Sequence, residues 1–241
     1  MKVTELVKNK INRIPEGYVF TYNDFDIEVK NDSALKQALF RLVKSGKIER
    51  LSKGRFFKPK QCITGKLNPD EYEVVKDLLK VNNKITGYIT GLGIFNTLGL
   101  TTQMSNIIQI GSNFDKKQIQ RGKYTIKYIR QWNKISKNNT YLLQLLDCIR
   151  FIKAIPDTSI DKTFKRLQYL LRELQEKDKK SIADLALNYP PLTRSLTGVI
   201  LEELGYYVPA EKLRKSLKST TTFNLEISEE MINDKQKWKI Q

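Results

Sequence analysis

The 241-residue chain contains no histidine. That excludes every mechanism requiring imidazole as a general base, as the activator of a nucleophile or as a metal ligand. A Ser-His-Asp site cannot be assembled from it. Cysteine is scarce too: Cys62 and Cys148 are far apart with no histidine to accompany them, so neither a zinc site nor a disulfide framework is expected, only reduced and partly buried thiols. The sequence also lacks an N-terminal apolar segment of the signal-peptide type and any apolar run of ~18 residues. The expectation is a cytoplasmic protein with no membrane partner, no metal and no cofactor.

Acidic residues are in short supply: 43 Lys and Arg face 26 Asp and Glu, for a formal charge of +17. The excess is +7 over residues 1–60, +6 over 61–135 and +4 over 136–241, so it is densest at the N-terminus. Such a balance favours polyanionic partners through counterion release and steering, without implying sequence specificity. With 40% hydrophobic residues, a chain of this length can build cores in two ordinary domains.

The most informative segment is NDSALKQALFRLVKSGKIERLSKGRFFKPK, residues 31–60. Leu35, Ala38, Leu39, Leu42 and Val43 recur at three- and four-residue intervals and predict a helix over 33–45, capped by Ser33 and ended by Gly46. The opposite stripe carries Lys36, Gln37, Phe40, Arg41 and Lys44, cations and an amide of the kind that a DNA major groove accepts. Residues 47–51 and 55–58 then read as two strands around Ser52-Lys53-Gly54, a hairpin with Lys53 and Arg55 expected at its tip, where phosphates pass. Upstream, Val3, Leu6, Val7, Ile11 and Ile14 predict an amphipathic helix ended by Pro15-Glu16-Gly17. A short strand over 18–20 follows, and Thr21 can cap a one-turn helix containing Tyr22 and Phe25. Helix, strand, helix, helix and hairpin in that order are the outline of a winged helix-turn-helix. A basic helix face or a hairpin alone would not be diagnostic, and Phe56 and Phe57 are expected to include a core residue.

Residues 61–69, polar and carrying Gly65 and Pro69, are the expected linker, with a second domain over 70–228. Residues 70–81 have a helical pattern. The stretch ITGYITGLGIFNTLGLTTQMSNIIQIGS is glycine-rich, but Gly91-x-Gly93 lacks the third glycine of a dinucleotide fingerprint and no GKS or GKT follows. It reads instead as a short close-packed helix over 91–98, ended by Gly99 and leading into a small sheet over about 105–132. Three apolar helical stripes follow between about 140 and 218: Leu142 to Ile152, Phe164 to Leu174, and Leu192 to Leu204, the last opened by Pro191 and closed by Gly205. Residues 229–241 are charged, lack an apolar stripe and are expected to fray. The fold class expected is α+β: an N-terminal winged helix-turn-helix and a mixed C-terminal domain with a small sheet and a mainly helical end.

The motifs IPEGYVFTYNDF, ALKQALFRLVKSGKIERLSKGRFFKPK, GYITGLGIFNTLGLTTQMSN, NYPPLTRSLTGVILEELG and KLRKSLKSTTTFNL resemble the AbiEi family of antitoxins across most of the chain. The resemblance implies the antitoxin of a bacterial type IV toxin-antitoxin system. Its winged helix would bind double-stranded DNA at inverted repeats in its own promoter, and its C-terminal domain would antagonise a nucleotidyltransferase-like toxin. Carried over by position, the DNA-binding residues would be Ser33, Lys36, Gln37, Arg41, Lys44, Lys53 and Arg55, with no catalytic residue. Two other classes compete: a stand-alone winged-helix regulator or RNA- or protein-binding module, and a metal-dependent phosphoryl-transfer enzyme using Asp157 and Asp161 or Glu202 and Glu203. The carboxylate spacing speaks against the enzyme. Asp157 and Asp161 flank a predicted helix start, where acidic residues serve as caps, and adjacent helical positions such as 202 and 203 point about 100° apart.

Overall fold

The computed structural model describes residues 3–25, 32–63 and 65–241. Helices and small sheets mix in an α+β fold whose chain divides into two compact units: residues 1–78 with 119–125, and residues 79–118 with 126–241.

The first unit opens with α1 (Val3–Arg13), whose Val7 and Ile11 are buried. After β1 (Val19–Thr21), Thr21 and Asp24 form a reciprocal capping box around the 3-10 turn Tyr22–Asp24. Helix α2 (Asp32–Lys44) buries Leu35, Ala38, Leu39 and Leu42, and its final turn is closed by Gly46 at φ +70°. The Gly46 amide donates to the Val43 carbonyl and Lys47 to Leu42, the paired bonds of a Schellman stop, which needs a left-handed residue there. Because the helix begins at Asp32, Ser33 lies inside its first turn and is not the cap expected. β2 (Glu49–Ser52) and β3 (Arg55–Phe57) make the hairpin, and β1 pairs antiparallel with β3, so the strand order is β1-β3-β2. Phe20, with Phe56 stacked on it at 6.1 Å and Phe25 edge-on at 5.9 Å, ties the sheet to the helices. Phe56 and Phe57 are both buried.

The linker expected over 61–69 takes a different form. β4 (Lys60–Cys62) and β5 (Gly65–Leu67) pair as a small antiparallel hairpin, and α3 (Glu71–Val75) folds with the first unit. Its Val74 and Val75 are fully buried, and the Val19 amide donates to the Glu73 carboxylate at 2.7 Å, so the compact unit runs on to residue 78. The helix expected over 70–81 stops early as well. Asn82 and Asn83 both adopt positive φ, which asparagine tolerates, and turn β6 (Lys80–Val81) into β7 (Lys84–Ile85).

β10 (Ile119–Arg121) falls in the first unit; the second holds β8 (Gly87–Thr90), α4 (Leu92–Thr97), β9 (Ile107–Ser112) and most of β11 (Tyr124–Arg130), and β8 pairs antiparallel with β9. The glycines of this stretch serve close packing. A Cβ on Gly111 would lie 2.4 Å from the Tyr88 ring, and one on Gly91 would collide with Gln109. Helices α5 (Thr140–Arg150), α6 (Ile160–Arg172), α7 (Glu176–Ala186), α8 (Pro191–Glu203) and α9 (Tyr207–Lys215) enclose the main apolar core, and free Cys148 is buried within it.

A polar network crosses that core. Asp147 of α5 accepts hydrogen bonds from Tyr88 (2.7 Å), Thr90 (2.8 Å) and Tyr189 (3.0 Å). The Gln131 amide donates to both tyrosine hydroxyls, at 2.8 and 2.7 Å. Burial pushes the Asp147 carboxyl above its ordinary value of 3.8, against the opposing pull of the three hydroxyl donors. A carboxyl with a raised folded-state value contributes its full stability below 3.8 and loses it as the pH rises through the raised value. Asp147→Asn cannot ionise, so urea titrations should show the variant gaining on the parent as the pH rises from about 4. A pH-independent gap between the two would show that burial does not govern this carboxyl.

The C-terminal segment corrects the expectation of a frayed tail over 229–241. Ile232, Trp238 and Ile240 are buried, and Phe223 pairs in parallel with Ile240. A few large apolar side chains are enough to hold a segment that has no helical period.

Candidate nucleic-acid interface

With Leu35, Ala38, Leu39 and Leu42 turned inward, α2 presents Ser33, Lys36, Gln37, Phe40, Arg41 and Lys44 to solvent. The three- and four-residue spacing puts them on one side of the helix. Phe40 is unusual, a phenyl ring 68% exposed in the middle of a polar face. Tyr22, Lys36, Gln37, Phe40, Arg41 and Arg50 line a groove of about 550 Å³ along this face. A second groove of about 310 Å³ on the other side of Arg41 is lined by Thr4, Lys8, Ser45 and Lys47 among others. Arg41 borders both.

The positions expected from the sequence fare unequally. Gln37, Arg41 and Lys44 are exposed. Lys36 is exposed too, but its ammonium lies 2.5 Å from Asp32, one helical turn back, and 5.9 Å from the centre of the Tyr22 ring. A solvent-exposed pair of that type contributes little, so the cation can be recruited by a phosphate. Lys53 stands exposed in the hairpin turn beside Gly54, whose φ of +74° favours glycine.

Arg55 differs from the expectation of a free cation at the hairpin tip. Its guanidinium donates to Asp77 at 2.7 Å, and Asp77 is gripped at the same time by Arg121, which is buried and also donates to the Val74 carbonyl. Burial alone would raise the Asp77 carboxyl, but the hydrogen bonds from Arg121 and Arg55 and their charges outweigh it and hold the group below its usual value of 3.8. Arg55 is thus a structural ion-pair partner. The sequence gives no sign of this, because Asp77 lies 22 residues away.

Three cations near α2 escaped the sequence reading. The signal for Arg50 was available, since alternation with buried Leu51 points it outward from β2. Lys8 and Lys47 reach the α2 surface only through the packing of α1 and of the turn after α2. Three of the four carboxylates weighed for an enzyme accept structural hydrogen bonds. Asp161 accepts from the Ser228 amide, Glu202 from the Trp238 indole and Glu203 from Gln168; the cap of α6 is Ser159, not an aspartate. Among the described residues no cluster of three His, Cys, Asp or Glu side chains could hold a metal ion, and no helix is long and apolar enough to cross a membrane.

Residues 6–180 match the model of a family of unknown function, DUF6088. The chain belongs to this family. Among solved structures, this DUF6088 member resembles the crystal structure of the RV2827C protein from Mycobacterium tuberculosis. The TM-score is 0.59 at 12% identity, over 90% of this chain and 81% of that one, a likeness of fold alone. No curated protein matches the chain.

Proposed function

We propose that this DUF6088 protein is a winged helix-turn-helix DNA-binding regulator that represses its own promoter and acts as the antitoxin of a type IV toxin-antitoxin pair. The observation that carries the DNA-binding half is the solvent face of α2, where Gln37, Phe40 and Arg41 stand between Lys44, Arg50 and the exposed hairpin cation Lys53, with no carboxylate lining the groove. Cations at the edges would fix the protein on phosphates, while Arg41 offers a bidentate contact to guanine, Gln37 one to adenine and Phe40 apolar contact to a thymine methyl. The antitoxin half rests on the resemblance to AbiEi antitoxins, which implies a nucleotidyltransferase-like toxin encoded beside this chain. A chain without that neighbour would be a solitary regulator.

Electrophoretic shift with the chain's own upstream DNA, against a non-specific duplex and single-stranded RNA, tests the reading. Arg41→Ala is expected to weaken specific binding by about 1–3 kcal/mol, and Lys53→Ala to weaken specific and non-specific binding alike while lowering the salt slope by about one. Equal affinity for all three nucleic acids, or unchanged titrations for both variants, would remove α2 and the hairpin from the interface.

A further inference from the structure

We propose that a cleft in the second unit, between the end of β11 and the start of α8, binds a nucleotide unit, with its phosphate on Arg130 and Arg150 and its base on Trp132. This site is remote in sequence from α2, and the inference does not depend on DNA binding by that helix.

The cleft has a volume of about 270 Å³ and is lined by Arg130, Gln131, Trp132, Arg150, Tyr189 and neighbours of Tyr189. Its floor is rigid and polar. Gln131 and Tyr189 are over nine-tenths buried and locked into the Asp147 network. Behind them Asn133 donates to the Gln131 carbonyl oxygen at 3.2 Å and accepts from Asn188 at 2.8 Å. Such a floor holds its geometry whether or not a ligand is present, as preformed sites do.

The rim supplies cations and one aromatic platform. The Arg130 guanidinium lies 4.8 Å from the centre of the Trp132 ring, which keeps 67% of its surface exposed. One Arg130 nitrogen donates to the Asn113 carbonyl, whereas its buried Nε has no hydrogen-bond partner. The terminal nitrogens are the part of Arg130 that a ligand can reach, since the side chain as a whole is 37% exposed. Arg150 donates weakly, at 3.4 Å, to the Arg130 carbonyl, which brings the second guanidinium to the same wall.

Charge on this wall selects an anion. The lining residues include two arginines and no carboxylate; Asp115, 3.7 Å from Arg130, is 88% exposed, a solvated contact that a phosphate can replace, and Asp147 beneath Tyr189 is a carboxyl that burial drives towards its neutral form. Guanidinium pairs favour phosphate for its matching geometry, and an open indole accepts the face of any base. The cleft itself has room for a phosphate and sugar, and the exposed indole at its mouth for the base. The site is not legible in the sequence because its parts lie in the run RQWN, at the C-terminal end of an apolar helix and in NYPP.

Tryptophan fluorescence gives a direct test, because the chain has two tryptophans and only Trp132 is exposed. The full-length protein would be titrated with adenosine 5′-monophosphate, adenosine, inorganic phosphate, and a hexa-adenylate RNA with and without a 5′-phosphate. Calorimetry would follow the Trp132→Ala and Arg130→Ala variants. The proposal expects quenching by the monophosphate with a Kd below ~1 mM. It also expects binding about 5- to 150-fold weaker in Trp132→Ala. Thermal melting of each variant, with buried Trp238 as reporter, would show that the fold is intact. Tighter binding of the 5′-phosphorylated RNA would make a strand end the natural occupant, and tighter binding of the monophosphate a free nucleotide; both support the site. Phosphate binding as tightly as the nucleotide, absence of quenching, or affinities that both well-folded variants leave unchanged would overturn it.

Discussion

Trp238→Ala is expected to cost the second unit about 3–5 kcal/mol, the range for a large aromatic removed from a packed core. For a protein of this size that is a fall of roughly 10 °C in melting temperature. Trp238 is 1% exposed and lies so close to α8 that a Cβ on Gly198 would come within 2.2 Å of its ring. The indole N–H donates to Glu202 at 2.8 Å, and the backbone carbonyl of the same residue accepts from Ser195, fully buried, at 2.6 Å. Truncation therefore leaves a cavity and an unpaired acceptor on Glu202. Gln236→Ala, at an exposed position two residues away, should stay within ±0.5 kcal/mol. A loss below ~1 kcal/mol for Trp238→Ala, measured by urea titration, would mean that the C-terminal segment does not pack against α8 in solution.

Asp77→Ala is the corresponding experiment on the first unit. Arg121 is 3% exposed, and Asp77 is its acidic partner, so the substitution leaves a buried guanidinium with the Val74 carbonyl alone. Removing one partner of a fully buried pair costs 3–5 kcal/mol; Asp77 is partly solvated, which reduces the expectation to about 2–3 kcal/mol. The pH dependence has a definite sign. Since the folded-state value of Asp77 lies below the unfolded 3.8, its contribution is present above 3.8 and is lost as the pH falls through the lower value. Parent and variant should thus converge in stability at acid pH and diverge above it. A gap that stayed constant down to the acid limit would show that Asp77 carries no such ion pair. Arg55→Ala is expected to act on the same equilibrium, through Asp77, more than on DNA affinity.

The legible parts of the sequence were those where one face is apolar at a fixed period. Leu35, Leu39 and Leu42 located α2 to within a residue at each end, and Thr21 and Gly46 marked a cap and a stop through chemistry that is local to a few residues. Pro191 and Gly205 did the same for α8. What could not be read depends on contacts distant in sequence. Asp147 looks like a solvent-facing break in an apolar helix until Tyr88, Thr90 and Tyr189 arrive from 59, 57 and 42 residues away. Arg55 looks like a free cation until Asp77 is placed beside it. Residues 229–241 look soluble because only a few of them are large and apolar, yet those few are the ones that pack. The face of α2 was legible as a face, whereas Lys8 and Lys47 joined it only through tertiary packing.

The chain passes from the first unit to the second after residue 78, returns for 119–125, and leaves again. Arg121, anchored on Val74 and Asp77, lies within that returning segment. A single genetic crossover anywhere in the chain therefore cannot exchange one unit and leave both whole, because every breakpoint divides the first unit, the second or both. Inheritance of the two as a pair is built into the path of the backbone, and recombination between relatives would have to replace two segments at once.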